Sequence, residues 1–269
     1  MKNKKQLSPE EISELESPYF ELQASWGMTK HMGGLKATRE LIELCHLNKG
    51  NKYVLVVGCG VGITPCYLAK RYGCRVVGVD LSERMVDRSN ERAKREGVEH
   101  RVEFRVADAQ NLPFDDALFD AVICESVNAF IENKQRAVSE YARVITSGGY
   151  VGLNECTWIK PPPPGLAEYL SRIMGAEFPL YNNGWKELLA GSGLGETVAR
   201  IYKTSALSQW LNEVRQFEFL DFLRAWYRFL LLFIKSSACR RFAKEALTMP
   251  KSIFGLFKYF GYGIYVGRK

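Results

Sequence analysis

Residues Val54 to Gly62 read VLVVGCGVG, an apolar and mostly β-branched run that enters a turn in which every second residue is glycine. The run Tyr53–Val57 has the composition of a parallel strand buried on both faces. Gly58, Gly60 and Gly62 lack a Cβ, so the chain can turn sharply there and a ligand can approach main-chain N–H groups directly. Helical spacing follows over Thr64–Tyr72, which makes the unit strand, glycine turn, helix. A dinucleotide fingerprint needs G-x-G-x-x-G, with a third small residue at position 63. Here Ile63 occupies that place and the third glycine comes one residue early, which disfavours a nicotinamide cofactor. A tight turn without a ligand is the competing reading of the motif taken alone.

Outward from this unit, strand and helix alternate. Arg75–Val79, Val102–Val106, Ala121–Cys124 and Tyr150–Leu153 read as strands, and Ser82–Arg95 and Asn133–Ile145 as helices between them. Upstream, Phe20–Trp26 and Ala37–Leu47 read as helices separated by Gly33-Gly34, the second placing Leu41, Ile42, Cys45 and His46 near one face. The alternation predicts an α/β fold: a doubly wound, mostly parallel sheet with helices on both faces. It stops at Pro161–Pro164, an extended and stiff connector. Beyond it, Trp185–Ala190 reads as a helix, Thr197–Tyr202 as a strand, and the closing YGIYVGRK as an edge strand. The expected organisation is a helical lead over 1–29, a core over 30–160, and a segment 161–269 that completes the sheet with strands near 197–202 and 262–268. A helical insertion over 206–258 precedes the last strand.

Composition adds two constraints. The 269 residues carry 37 Lys and Arg against 30 Asp and Glu, and 46% are hydrophobic, the balance of an ordinary globular chain rather than a disordered one. The excess charge is local. Residues 201–269 hold 12 basic and 4 acidic side chains, and 16 of the chain's 33 aromatic residues. Seven cysteines without CxxC spacing argue against a zinc site or a secreted disulfide framework. No export signal is readable in MKNKKQLSPEEISELES, and the longest apolar run, Phe229–Ile234, is far below the ~20 residues of a membrane-spanning helix. The expected location is cytoplasmic, with membrane association left open.

Four segments then meet at the ends of successive strands: VLVVGCGVG, VVGVDLSERM ending strand two at Asp80, FRVADAQNLPF with Asp108 after strand three, and FDAVICES ending strand four near Glu125. In this order and spacing the chain, over roughly residues 30–155, resembles the class I S-adenosylmethionine-dependent methyltransferases, and within them the small-molecule enzymes of ubiquinone/menaquinone-biosynthesis and sterol type. WKELLAGSGLGETVARIY and YGIYVGRK are similar to that family's sixth and seventh strands, the seventh antiparallel. The resemblance implies a seven-stranded Rossmann-like sheet and S-adenosyl-L-methionine as cofactor. It places the backbone of Gly58, Cys59, Gly60 and Gly62 toward the methionine end and Asp80 on the ribose hydroxyls. It also sets Leu81 and Met85 against the adenine, Asp108 and the N–H of Ala109 on its polar edge, and Glu125 where cofactor and acceptor meet. The family's first motif usually carries an acid at its third residue. Val56 stands there instead, so the methionine ammonium needs another partner, such as carbonyls near Gly58 or Glu125.

Methyl transfer from a sulfonium needs chiefly an aligned nucleophile, and orientation can supply about 7–11 kcal/mol of the barrier reduction. Pro65-Cys66, in the helix after the glycine turn, reads as core packing rather than as a nucleophile. CESVNAF at the end of strand four lacks the Asp/Asn-Pro-Pro-aromatic signature of enzymes that methylate planar amino groups, which points toward oxygen or carbon acceptors. His31, beside Gly33-Gly34, and Glu125 are the candidates for a general base; His46 and His100 read as structural or solvated. No metal site is expected.

In the basic tail, Phe219, Phe222, Leu223, Trp226, Leu230 and Phe233 share one helical face. Exposing such side chains forfeits about 1.5–3 kcal/mol each, so protein, lipid or substrate must cover them. The expected function is methyl transfer to a small hydrophobic acceptor, isoprenoid or lipid-like, under a roof formed by 206–258. Arg240, Arg241, Lys244, Lys251 and Lys258 add attraction to an anionic membrane surface, while no nucleic acid is expected. The alternatives are an RNA or protein methyltransferase that docks its polymer on the basic tail, and a non-catalytic cofactor-binding protein.

Overall fold

The computed structural model describes residues 31–47, 52–178, 184–205, 207–209 and 251–269, with single positions between 227 and 240. The expected lead over 1–29, most of the insertion over 206–258 and its apolar face apart from Leu230 lie outside the described residues. Within them a seven-stranded sheet has the order β3-β2-β1-β4-β5-β7-β6. Its strands are β1 (Tyr53–Val57), β2 (Arg75–Asp80), β3 (Val102–Val106), β4 (Phe119–Glu125), β5 (Ile145–Trp158), β6 (Gly195–Lys203) and β7 (Phe260–Arg268). The first five are parallel, and β7 runs antiparallel to both its neighbours, β5 and β6.

The helices are α1 (Gly34–Leu44), α2 (Ile63–Tyr72), α3 (Glu83–Glu96), α4 (Lys134–Val144), α5 (Leu166–Met174) and α6 (Gly184–Gly191). One face of the sheet is covered by α1, α2 and α3, through Leu41, Ile42, Cys66, Leu68 and Val86 against Val54, Val56, Ala121 and Ile123. The other is covered by α4 and α6, through Val138, Tyr141, Trp185 and Leu189 against Leu55, Val57, Val122 and Leu153. Both faces are therefore dry, which is why β1 and β4 read as unbroken apolar runs rather than as alternating ones. Gly73 and Gly97 end α2 and α3 in left-handed conformations.

Four expectations change. β7 is not an edge strand but lies between β5 and β6, buried along Phe260–Gly267. Its alternation is of small with large, not of polar with apolar: Gly261 and Gly263 leave room for the carbonyl of Tyr202 and the ring of Tyr265. Strand five is much longer than Tyr150–Leu153, because antiparallel pairing with β7 extends it to Trp158. The helix α5, whose Leu166, Tyr169 and Leu170 pack on Trp158 and Phe260, follows the prolines without having been read. Finally, α1 starts at Gly34 and ends at Leu44, so His46 has left the helical face. It is exposed, at φ 51, with its ring 5.3 Å from that of Tyr150.

Candidate active site

The strand order reverses between β1 and β4, and the parallel strands β1 to β4 end on one edge of the sheet, where such folds bind their ligands. Gly58, Gly60 and Gly62 follow β1 at φ 63, 55 and 79, left-handed values that other residues adopt only with strain. A Cβ on Gly58 would also run into Cγ2 of Val127, in the loop after β4. The turn is fixed from β2 and α3. Cys59 N–H donates to Val79 O (2.9 Å), Ser89 Oγ to Gly60 O (2.8 Å) and Arg92 Nε to Val61 O (2.8 Å).

Asp80, at the end of β2, accepts from Gly60 N–H through Oδ2 (2.9 Å) and from Ser82 N–H through Oδ1 (3.1 Å). The carboxylate thus joins the glycine turn to the start of α3. Beside it Leu81 is 51% exposed, and Val106, paired with Asp80 across the β2–β3 register, is 47% exposed. Two apolar side chains therefore lie uncovered next to a carboxylate at the edge of the sheet. Met85 is buried against Val61 and Ile63. Asp108 caps its own turn, accepting from Gln110 N–H (2.9 Å), and Ala109 follows it, partly buried. Cys59 contributes backbone alone, since burial and the charge of Asp80 hold its thiol well above the usual cysteine range.

At the other side of the switch point Glu125 ends β4. Its Oε2 accepts from Thr64 Oγ1 (2.6 Å) on α2, and its Oε1 from Thr38 Oγ1 (2.9 Å) on α1. Asn154 Nδ2 lies 3.5 Å from the same Oε1 and donates to Met32 O at 3.0 Å. His31 Nε2 is 2.9 Å from Thr38 Oγ1 and 3.6 Å from Glu125 Oε1. Thr38 has one proton and gives it to Glu125, so His31 is assigned as the donor to Thr38, leaving Nδ1 as its free lone pair. The side chains of His31 and Glu125 are only 5% and 6% exposed. Gln209 Oε1, from the start of the insertion, accepts from Gly33 N–H at 3.2 Å and ties that segment to the loop carrying His31.

Two expected halves of a site, the glycine turn with Asp80 and the pair His31 and Glu125, are thus brought to one sheet edge. Thr38, Thr64 and Asn154 were not read from the sequence. Thr38 had a visible signal, a hydroxyl within the apolar stripe of α1 at full burial. Among the described residues no cluster of His, Cys, Asp or Glu could hold a metal ion, and Cys66 is buried in the core.

Residues 55–153, the span from β1 into β5, match the family model described as a methyltransferase domain. Over this span the chain carries a methyltransferase domain. Over 187 residues it is 30% identical to phosphoethanolamine N-methyltransferase 1 of Zea mays, a stretch that is 69% of this chain and 36% of that protein. The chain spans between 32% and 65% of the length of the first curated relatives it matches. Its fold is similar to that of the [4+2]-cyclase SpnF, with a TM-score of 0.70, 21% identity, and 97% and 96% of the two chains covered. It is also similar to Haemonchus contortus phosphoethanolamine N-methyltransferase 2, solved with S-adenosyl-L-methionine, at TM-score 0.67 and 18% identity over 93% of this chain and 56% of that one. A cyclase among these folds is a reminder that architecture alone does not define a reaction.

The residues present fit the cofactor. The glycine turn of the methyltransferase domain is left-handed at all three glycines, the Asp80 carboxylate bonds its Gly60 N–H, and Leu81 and Val106 offer apolar surface for a flat base. Val56 is buried beneath the sheet edge, and Glu125 extends the same face of the neighbouring strand, two residues beyond Ile123, which pairs with Val56.

Proposed function

We propose that this protein transfers a methyl group from S-adenosylmethionine to a small, largely apolar acceptor. The observation that carries the reading is the Asp80 carboxylate clamped between Gly60 and Ser82 at the strand-order reversal, next to a turn whose three glycines are all left-handed. In it, Asp80 takes the ribose hydroxyls, Leu81 and Val106 the adenine, Asp108 and the Ala109 N–H its polar edge, and the backbone of Gly58–Gly62 the methionine end. Glu125 supplies the negative charge toward the ammonium that Val56 does not. When bound, the cofactor supplies an electrophilic methyl on a sulfonium leaving group. The chain's task is then to align the acceptor, exclude water and receive a proton. His31 Nδ1, its ring oriented by Thr38 and Glu125, is the proposed proton acceptor.

The contact of Gln209 with Gly33 supports a roof over the site built from the insertion, and Leu207, Leu230 and Ile234 there are 65%, 52% and 70% exposed. Apolar surface of this kind suits an isoprenoid or lipid-like acceptor at oxygen or carbon. The basic residues Arg240, Arg241, Lys244, Lys251 and Lys258 would add about 1 kcal/mol each toward an anionic membrane surface. The test is to supply methyl-labelled S-adenosylmethionine with two acceptor panels, one of prenylated phenols and lipid alcohols and one of hydrophilic amines including phosphoethanolamine. Label in the first panel is the expected result. Label confined to the amines would overturn the apolar acceptor and leave methyl transfer standing.

A further inference from the structure

The loop after β4 is held by a carboxylate that the site described above does not use. Glu155, on β5, is fully buried. Its Oε1 accepts three N–H groups: Val127 N (3.1 Å), Asn128 N (2.9 Å) and Asn128 Nδ2 (2.9 Å). Its Oε2 has no hydrogen-bond partner among the described residues, and the same is true of Ser126 Oγ next to the loop. Asn128 is in turn satisfied, accepting from Tyr141 OH at Oδ1 (3.0 Å) and giving Nδ2 also to Cys124 Sγ (3.1 Å). Ser126 sits at φ 58, a conformation that persists in a non-glycine residue only when its surroundings over-determine it.

What this loop touches gives the arrangement its meaning. Val127 fills the space a Cβ on Gly58 would need, and Ala129 O accepts from Glu177 N–H (2.8 Å). The loop therefore connects the cofactor turn with the segment that follows α5. We propose that Glu155 is a positioning residue: it pins residues 126–130 to the sheet so that Val127 braces Gly58 in its left-handed conformation and keeps the cofactor turn open. The proposal rests on the methyltransferase reading for its functional consequence, and on geometry alone for the pin.

The pin has a titratable centre. Burial pushes the Glu155 carboxyl up to about 7, against the N–H groups of Val127 and Asn128, which favour the anion. Lys134 of α4 also favours the anion, and the other ionisable groups facing it, Cys124, Cys156, Tyr141 and Tyr265, are kept neutral by their own burial. While Glu155 stays buried, its bonds from Val127 and Asn128 are roughly twice as strong to the ionised carboxylate as to the neutral acid. The loop itself is therefore held harder above neutrality, even though burying that charge lowers the stability of the whole fold.

Glu155→Gln tests this in the full chain by two readouts. Amide exchange at Val127 and Asn128 is expected to be ~10-fold faster than in the wild type. S-adenosylhomocysteine is expected to bind ~10-fold more weakly by calorimetry, and the rise in wild-type affinity from about pH 6 to about pH 8 should be flat in the variant. Exchange and affinity both at wild-type values would overturn the proposal. Should this variant fail to fold, Val127→Ala keeps the pin and removes the brace. Weaker binding of S-adenosylhomocysteine with Asn128 still protected supports the proposal, and unchanged binding overturns it. Absence of any heat from the wild type would remove the functional reading instead, while the exchange rates would still decide the pin.

Discussion

The two sides of the strand-order reversal are built differently. On the β1–β3 side the glycine turn is fixed by groups close in sequence, with Asp80 20 residues from Gly60 and Ser89 29 residues from it, each side chain bonding a backbone atom of the turn. On the β4–β5 side the polar groups are the buried carboxylates Glu125 and Glu155, held by side chains and loops brought from afar, such as Thr38, 87 residues from Glu125. The first side is a local motif in which glycine and one acid carry the information. The second is a tertiary assembly, whose parts have ordinary chemistry until the fold collects them.

This contrast can be broken from either side. The largest effect is expected at Gly58→Ala, where the left-handed conformation and the overlap with Val127 together cost about 2–5 kcal/mol of stability, read as denaturant midpoint. Adding Val127→Ala should recover the overlap share and leave the conformational share, and additivity of the two changes would show that Val127 does not brace the turn. On the second side, Glu155 gives stability a pH signature. Its folded value of about 7 lies above the ordinary 4.5, so between these the folded state holds a proton that the unfolded chain has released. The contribution, about 3 kcal/mol, is therefore full below about pH 4.5 and lost as pH rises through about 7. Glu155→Gln should flatten that slope in urea titrations, and an unaltered slope would assign it to other groups. His31→Ala is expected to lower kcat by about 100-fold with little change in affinity for S-adenosylhomocysteine. A parallel loss of affinity would make His31 a binding residue and place both sides of the reversal in cofactor recognition.

The same contrast explains what was legible in the sequence. VLVVGCGVG and Asp80 could be read because strand, turn and acid lie within one βαβ unit and their spacing is set by the crossover. Thr38, Thr64 and Asn154 come from three different elements, and nothing in their local patterns announces a shared partner. Glu155 left a trace, an acid in the middle of a buried strand. That trace acquires its role only when the loop after β4 folds back over the sheet. The edge position expected for YGIYVGRK failed for a related reason: glycine alternating with aromatics marks close packing as readily as it marks solvent.

The central claim is that the glycine turn and Asp80 together grip S-adenosylmethionine, and the most direct measurement is calorimetric titration of S-adenosylhomocysteine into the wild type and Asp80→Ala. The account predicts saturable binding to the wild type and an affinity at least about tenfold lower in the variant, the loss of charge-assisted bonds to two hydroxyls. Equal affinities, or no heat from the wild type at about millimolar ligand, would contradict it.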